Sequence, residues 1–256
     1  MTERLKKHLK AGVQEKLQEK SRGIFSYLNP AYLEGDNQKY MTMYDKMAPW
    51  YDFGEKWIGK IKYGNSIARL RTHLMEQLEW EDGLSVLYVS IGTGSDLHYL
   101  PKKIDKASLD FVGVDISLGM LERCRKTWSK KMNLSLVQAC AEDLPFADNS
   151  FDLVLHVGGI NFFSDQGKAL DEMVRVAKPG TKILVADETA DYVDSQYKKN
   201  ALSKQYFEDA TVNIKELEAL LPSQVTDKEL EFIWDNRFYA LTFRKRMALQ
   251  EEGRAD

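Results

Sequence analysis

The sequence predicts an α/β fold: a three-layer sandwich whose seven-stranded sheet is mostly parallel and closes on an antiparallel terminal strand. Three observations carry that prediction. Apolar, β-rich runs alternate with helix-compatible segments from about residue 84 to 187, the pattern of parallel strands covered on both faces. One run, Val86-Leu87-Tyr88-Val89-Ser90-Ile91, breaks into Gly92-Thr93-Gly94, and the next, Phe111-Val112-Gly113-Val114, ends in Asp115. Near the end of the chain, Glu229–Trp234 and Phe238–Phe243 are joined by Asp235-Asn236-Arg237, as in an antiparallel hairpin at a sheet edge.

Taken in order, the elements fill that frame. Residues 3–22 read as a charged amphipathic helix, because Leu5, Leu9, Val13 and Leu17 recur every four positions and form an apolar stripe. Seven lysines and arginines face three acids there. Pro30 and Gly35 then break regular structure. Residues 40–54 are rich in aromatics, and a helix near 64–79 leads into the first strand. Strands follow near 84–90, 109–115, 134–139, 151–157 and 181–187, with helices near 96–103, 117–131, 164–177 and 196–220. Residues 1–63 are expected to form a helical lid over the cleft, and 64–256 the main domain.

Composition narrows the function. At 256 residues the chain fits one large domain with an appended segment. A net charge of −3 supplies no basic field for nucleic acid. The two cysteines, Cys124 and Cys140, have no metal-binding spacing and suit a reducing compartment. No apolar run approaches the ~18–20 residues of a membrane span, and the charged N-terminus lacks a signal-peptide core. The expected location is cytoplasmic.

Strand, glycine turn, helix, strand and acid form a nucleotide-binding layout. Glycine lets the backbone turn tightly and approach a ligand closely, and Asp115 can accept both hydroxyls of a ribose. NAD-binding folds share this layout. Against that reading, position 97 is Leu, so Gly-x-Gly-x-x-Gly is incomplete.

Further motifs extend the pattern: Asp115-Ile116-Ser117 followed by Met120-Leu121, then Ala141-Glu142-Asp143-Leu144-Pro145-Phe146, then Asp148-Asn149-Ser150-Phe151-Asp152. Arg175-Val176-Ala177-Lys178-Pro179-Gly180 and Tyr44-Asp45-Lys46-Met47-Ala48-Pro49-Trp50-Tyr51-Asp52 complete the set. In this order and spacing, over about residues 40–190, the chain resembles the class I S-adenosylmethionine-dependent methyltransferases. It is most similar to their small-molecule type, which includes the ubiquinone/menaquinone C-methyltransferases.

The resemblance implies a Rossmann-like sandwich and S-adenosyl-L-methionine (SAM) as cofactor, with S-adenosyl-L-homocysteine as product. It places Gly92, Thr93 and Gly94 under the methionine moiety, with Ser90 beside its ammonium. It puts Asp115 on the ribose, with Ile116 and Met120 on the adenine and Ser117 close by. Ala141, Glu142, Asp143 and Leu144 would hold the adenine edge, and Lys178-Pro179-Gly180 would mark the fold. Tyr40, Tyr44, Trp50 and Tyr51 read as a lid, with Tyr44 and Tyr51 the candidate contacts.

The chain departs from the family pattern in four places. Ser90 stands where an Asp or Glu is usual, Ser95 replaces a third glycine, Cys140 replaces an Asp or Asn, and Gly158-Gly159 follows the fourth strand. Serine can hydrogen-bond the ammonium but cannot neutralise it.

His156 ends the fourth strand, where this architecture opens its cleft. It is the candidate general base, or alternatively a cofactor contact. Asp187 and Glu188, at the end of the fifth strand, are candidate proton acceptors, or solvated or helix-capping acids. The expected acceptor is a small molecule with an O, N or C nucleophile, leaning towards an apolar or aromatic one. Alternatives are a non-catalytic binder of the cofactor or its product, a phospholipid N-methyltransferase and, more remotely, an NAD oxidoreductase. Contact of residues 3–22 with anionic lipid is the less favoured use of that segment. Monomer and homodimer both remain open.

Overall fold

The computed structural model describes residues 1–53, 63–195 and 213–247, with residues 50–53 by backbone alone. Within them lies one nine-stranded sheet in the order β1-β2-β5-β4-β3-β6-β7-β9-β8. The strands are β1 Gln18–Ser21, β2 Ile24–Tyr27, β3 Ser85–Val89, β4 Asp110–Asp115, β5 Leu134–Ala139, β6 Leu153–Val157, β7 Lys182–Glu188, β8 Val225–Ile233 and β9 Phe238–Lys245. The five central strands β3–β7 are parallel, β9 runs antiparallel to β7, and β8 runs antiparallel to β9 at the edge.

The predicted seven strands are the stretch from β5 to β8; the N-terminal hairpin adds two more. Residues 3–22 do not form the expected helix. Only α1, Glu3–Lys6, is helical there, and Gly12 turns the chain with φ +73°. Beyond that turn, β1 and β2 close a hairpin at Gly23 (φ +75°), and β2 pairs parallel with β5, Ile24 opposite Leu136. The every-fourth apolar spacing was real, but tertiary contacts used it otherwise. Leu5 enters the core, while Leu9 bridges Phe146 and Lys10 N donates to Pro145 O. An edge strand offered pairing groups, and that outweighed a weak local helix propensity.

The other α-helices among the described residues are α2 Asp36–Phe53, α3 Ser66–Glu76, α4 Leu118–Trp128, α5 Gln166–Val176, α6 Ala190–Val193 and α7 Ile214–Ala219. Most of the helix expected at 196–220 falls outside the described residues, and α7 is its described part. The helix expected at 96–103 is a short 3-10 helix, Ser95–Tyr99.

Alternating strand residues feed two cores. Val89, Val114 and Val137 pack with Leu170 and Met173 of α5 on one face. Tyr88, Phe111 and Leu136 pack with Leu74 of α3 and Leu121 of α4 on the other. Among the described residues no helix is long and apolar enough to cross a membrane.

Arg175 braces the loop after β5. Its guanidinium donates to Phe146 O, Asp148 Oδ1 and both carboxylate oxygens of Glu172, and Glu172 Oε2 in turn accepts from Leu144 N at 2.8 Å. The Arg-x-x-Lys-Pro-Gly motif thus begins with a structural ion pair.

Candidate functional site

A cleft of about 730 Å³, counting its open mouth, lies at the carboxyl ends of β3, β4 and β5 under helix α2. Val89 and Ser90 reach it from the end of β3, Val114, Asp115 and Ile116 from the end of β4, and Ala139 from the end of β5. Gly92 and Met120 complete its floor. Its roof is Asn37, Tyr40 and Tyr44 of α2, and Phe162 and Phe163 close one end.

Asp115 is the polar centre. It is 9% exposed. Its Oδ2 accepts from Gly92 N at 2.8 Å and its Oδ1 from Ser117 N at 2.9 Å. Burial pushes its carboxyl up to about 6 against the pull of those amides, and the charge of Asp45 adds to the rise. The Gly92 amide is available because that residue takes φ +56°, a conformation glycine adopts without cost. Ser90 also sits at positive φ, 60°, which a side chain tolerates poorly.

Glu142 is sealed at 1% exposure. Its Oε1 accepts from Asn37 Nδ2 at 2.8 Å and from Asp165 N at 3.3 Å, while burial still raises its carboxyl.

The structure brings together Tyr44, Ser90, Gly92, Asp115, Ile116, Met120, Ala141 and Glu142 on one cavity. Other expected contacts are elsewhere. Gly94 points at packing: a Cβ there would lie 2.9 Å from Cys124 Sγ and Trp128. Thr93 is buried, with its hydroxyl on Ser95. Ser117 caps α4 through Met120 N. Asp143 turns to Asn29 Nδ2 and Lys10, and Leu144 is core. The side chains of Trp50 and Tyr51 lie outside the described residues.

Two of the three catalytic candidates are corrected by their surroundings. His156 does not open on the cleft; it is 0% exposed. Its Nδ1 meets Val89 O at 3.1 Å, so Nδ1 carries the proton, and Nε2 is a buried acceptor with no partner among the described residues. Burial pushes it down to about 4, and the cavity-lining Phe163 stands edge-on to it at 5.2 Å. Asp187 is no solvated rim acid either. Its Oδ2 accepts from Gly159 N and Asn161 N, and its Oδ1 from Glu188 N. It therefore folds the Gly158-Gly159 loop, whose glycines take φ +80° and +110°. That accounts for the glycine-rich departure after the fourth strand. Glu188 does not line the cavity, and its carbonyl accepts from Asn161 Nδ2.

Residue patterns missed Asn37, Val89, Val114, Ala139 and Gly159 as lining groups. Asn37 carries no local signal, because it meets Glu142 across 105 positions. The valines and Ala139 are simply the last apolar residues of their strands.

Comparison with known proteins agrees with this geometry. Residues 87–185 match a family model described as a methyltransferase domain. The chain is similar to the demethylmenaquinone methyltransferase of Paenarthrobacter aurescens, 31% identical over 160 residues, covering 62% of this chain and 59% of that protein. It thus spans about three fifths of that relative's length. Among solved structures it is similar in fold to the [4+2]-cyclase SpnF, with TM-score 0.62, 18% identity and coverage of 84% of this chain and 98% of that one. It is likewise similar to a SAM-dependent methyltransferase from Aquifex aeolicus, with TM-score 0.53, 18% identity and coverage of 73% and 97%.

Proposed function

We propose, for a chain that carries a methyltransferase domain over residues 87–185, that the cleft binds SAM and directs its sulfonium methyl to a small-molecule O, N or C nucleophile. The observation that carries this reading is Asp115. It is a buried carboxylate at the carboxyl end of a parallel strand, pre-held by two amides and still facing a largely apolar cavity.

The residues fit the cofactor. Asp115 takes the ribose hydroxyls as a charged acceptor. Ile116 and Met120 clasp the adenine, and Glu142 with the backbone around Ala141 meets its polar edge. Ser90 lies beside the methionine end and donates or accepts one hydrogen bond.

When bound, the sulfonium supplies an already activated methyl group. What remains for the protein is alignment and exclusion of water, and positioning of this kind is worth ~7–11 kcal/mol of barrier. Tyr40, Tyr44, Phe162 and Phe163 wall the space beyond Asp115, which favours an apolar or aromatic acceptor. Helix α2 is the lid, and the cytosol is the working compartment. His156 serves as a neutral strut under Val89 and Ser90.

Calorimetric titration with SAM, S-adenosylhomocysteine and NAD tests the reading. Binding of the first two and not NAD is the expected result; binding of NAD alone, or of none, overturns it. A second reading, cofactor binding without methyl transfer, is favoured by one observation: a serine stands where an acid usually meets the ammonium. Fold does not decide between them, and an acceptor screen with no product formed supports the second.

A further inference from the structure

We propose that Asp45 and Asn37 are positioning residues that pin α2 shut over the nucleoside pocket, so that ligand enters and leaves only when both pins open. This rests on the reading of the cleft as the SAM site.

The two pins sit two helical turns apart on α2, and the cavity-lining Tyr40 and Tyr44 lie between them. At the first pin, Asn37 Nδ2 donates to Glu142 Oε1 at 2.8 Å and to Tyr32 O at 3.0 Å. Asn37 also exchanges hydrogen bonds with Ser164: its amide donates to Ser164 Oγ, and its Oδ1 accepts from Ser164 N. At the second, Asp45 Oδ1 accepts from Ser117 Oγ at 2.6 Å and from Gly119 N at 2.9 Å. Asp45 therefore supplies, from another helix, an acceptor for the open first turn of α4, where a negative charge is favoured. Arg123 Nη1 adds a bond to Pro49 O at 3.0 Å.

The pins land on the groups proposed to hold the nucleoside. Glu142 is one. The other is Asp115, reached through Ser117, whose amide binds the Asp115 carboxylate while its hydroxyl binds Asp45. With α2 in place, Asp115 is 9% and Glu142 1% exposed, so displacing α2 is the motion that would widen access to both.

The contact between the helices is also sterically exact. A Cβ on Gly119 would lie 3.0 Å from Ala48 Cβ and 3.3 Å from Asp45 Oδ1. Gly119 thus lets the lid come close enough for the carboxylate to dock. A substitution there loosens the same pin from the opposite side and leaves the Asp45 carboxylate itself in the sequence.

The test is rapid-mixing kinetics of S-adenosylhomocysteine with the full chain and three variants. Asp45→Ala is expected to raise both association and dissociation rates by about tenfold or more, the worth of one charge-assisted hydrogen bond, with a smaller change in Kd. Asp45→Asn keeps an acceptor oxygen and should restore most of the slow exchange. Gly119→Ala should speed exchange although alanine favours the helix, which separates gating from loss of stability. Unchanged rates in both Asp45→Ala and Gly119→Ala overturn the gate alone. No binding to the unaltered chain overturns the reading of the cleft, and the gate with it.

Discussion

Asp115 and Asp187 end two strands of the same sheet. Both are buried, both are gripped by backbone amides, and burial pushes both up to about 6. They differ in what lies on the far side. Asp115 lines a cavity; Asp187 is 1% exposed and divides its oxygens among the amides of the Gly159–Asn161 loop and Glu188. A perturbed carboxyl therefore reports burial, and only access to a cavity makes it a candidate for binding. Asp187 instead holds the loop that carries Phe162 and Phe163 to the cleft.

Substitution separates the two most sharply. Asp115→Ala should cost S-adenosylhomocysteine affinity about a hundredfold or more, since two hydrogen bonds to a charged acceptor are worth ~3 kcal/mol or more together. Calorimetry reads this directly, and a loss under tenfold would remove Asp115 from the ribose. Asp187→Ala should instead lower the chain's stability by roughly 2–3 kcal/mol, because several buried amides lose their acceptor at once. The urea midpoint measures it; an unchanged midpoint would mean the loop does not depend on that carboxylate.

Acid offers a gentler comparison. The Asp115 carboxyl is raised from 3.8 to about 6, so the folded chain takes up a proton there before the unfolded chain does. Taken alone, this group makes the fold relatively more stable as pH falls from 7 towards 4. Ligand affinity moves the opposite way, because the ribose needs the ionised acceptor. Affinity for S-adenosylhomocysteine is expected to be level above pH 7 and to fall by up to about tenfold per unit below about 6. Asp115→Asn should flatten that profile relative to the unaltered chain, and a profile that survives the substitution assigns the titration to another group.

The smallest expected effect belongs to His156. It gives one hydrogen bond to Val89 O, and its Nε2 has no partner among the described residues. His156→Leu exchanges a lost bond for a relieved buried acceptor, so stability should stay within about 1 kcal/mol. Methyl transfer should also persist. A turnover loss in the ~10²–10⁴-fold range, typical of removing a general base, with binding intact would restore the catalytic role.

Much of the frame was legible in residue order. Runs of Val, Leu and Ile placed β3 to β7 within about two residues, since buried parallel strands have to be apolar on both faces. Gly92 and Asp115 stood out because a tight turn and a strand-end acid are local features. The N-terminal hairpin was not legible: Leu5, Leu9, Val13 and Leu17 fit a helix equally well, and only the vacant edge of β5 drew residues 18–27 into the sheet. Gly94 and Gly92 look alike in the motif, yet one faces Trp128 and the other the cleft.

Sequence by itself determined the α/β order of elements, the glycine turn, the acid that ends β4 and the resemblance to methyltransferases, because each is written in residues close together along the chain. The tertiary structure alone decided that Asp187 and His156 face inward, that Asn37 meets Glu142 and that Asp45 caps a helix more than seventy residues away. Those outcomes depend on which side of a strand or helix meets which neighbour, and no local spacing encodes a partner that only packing brings within hydrogen-bond reach.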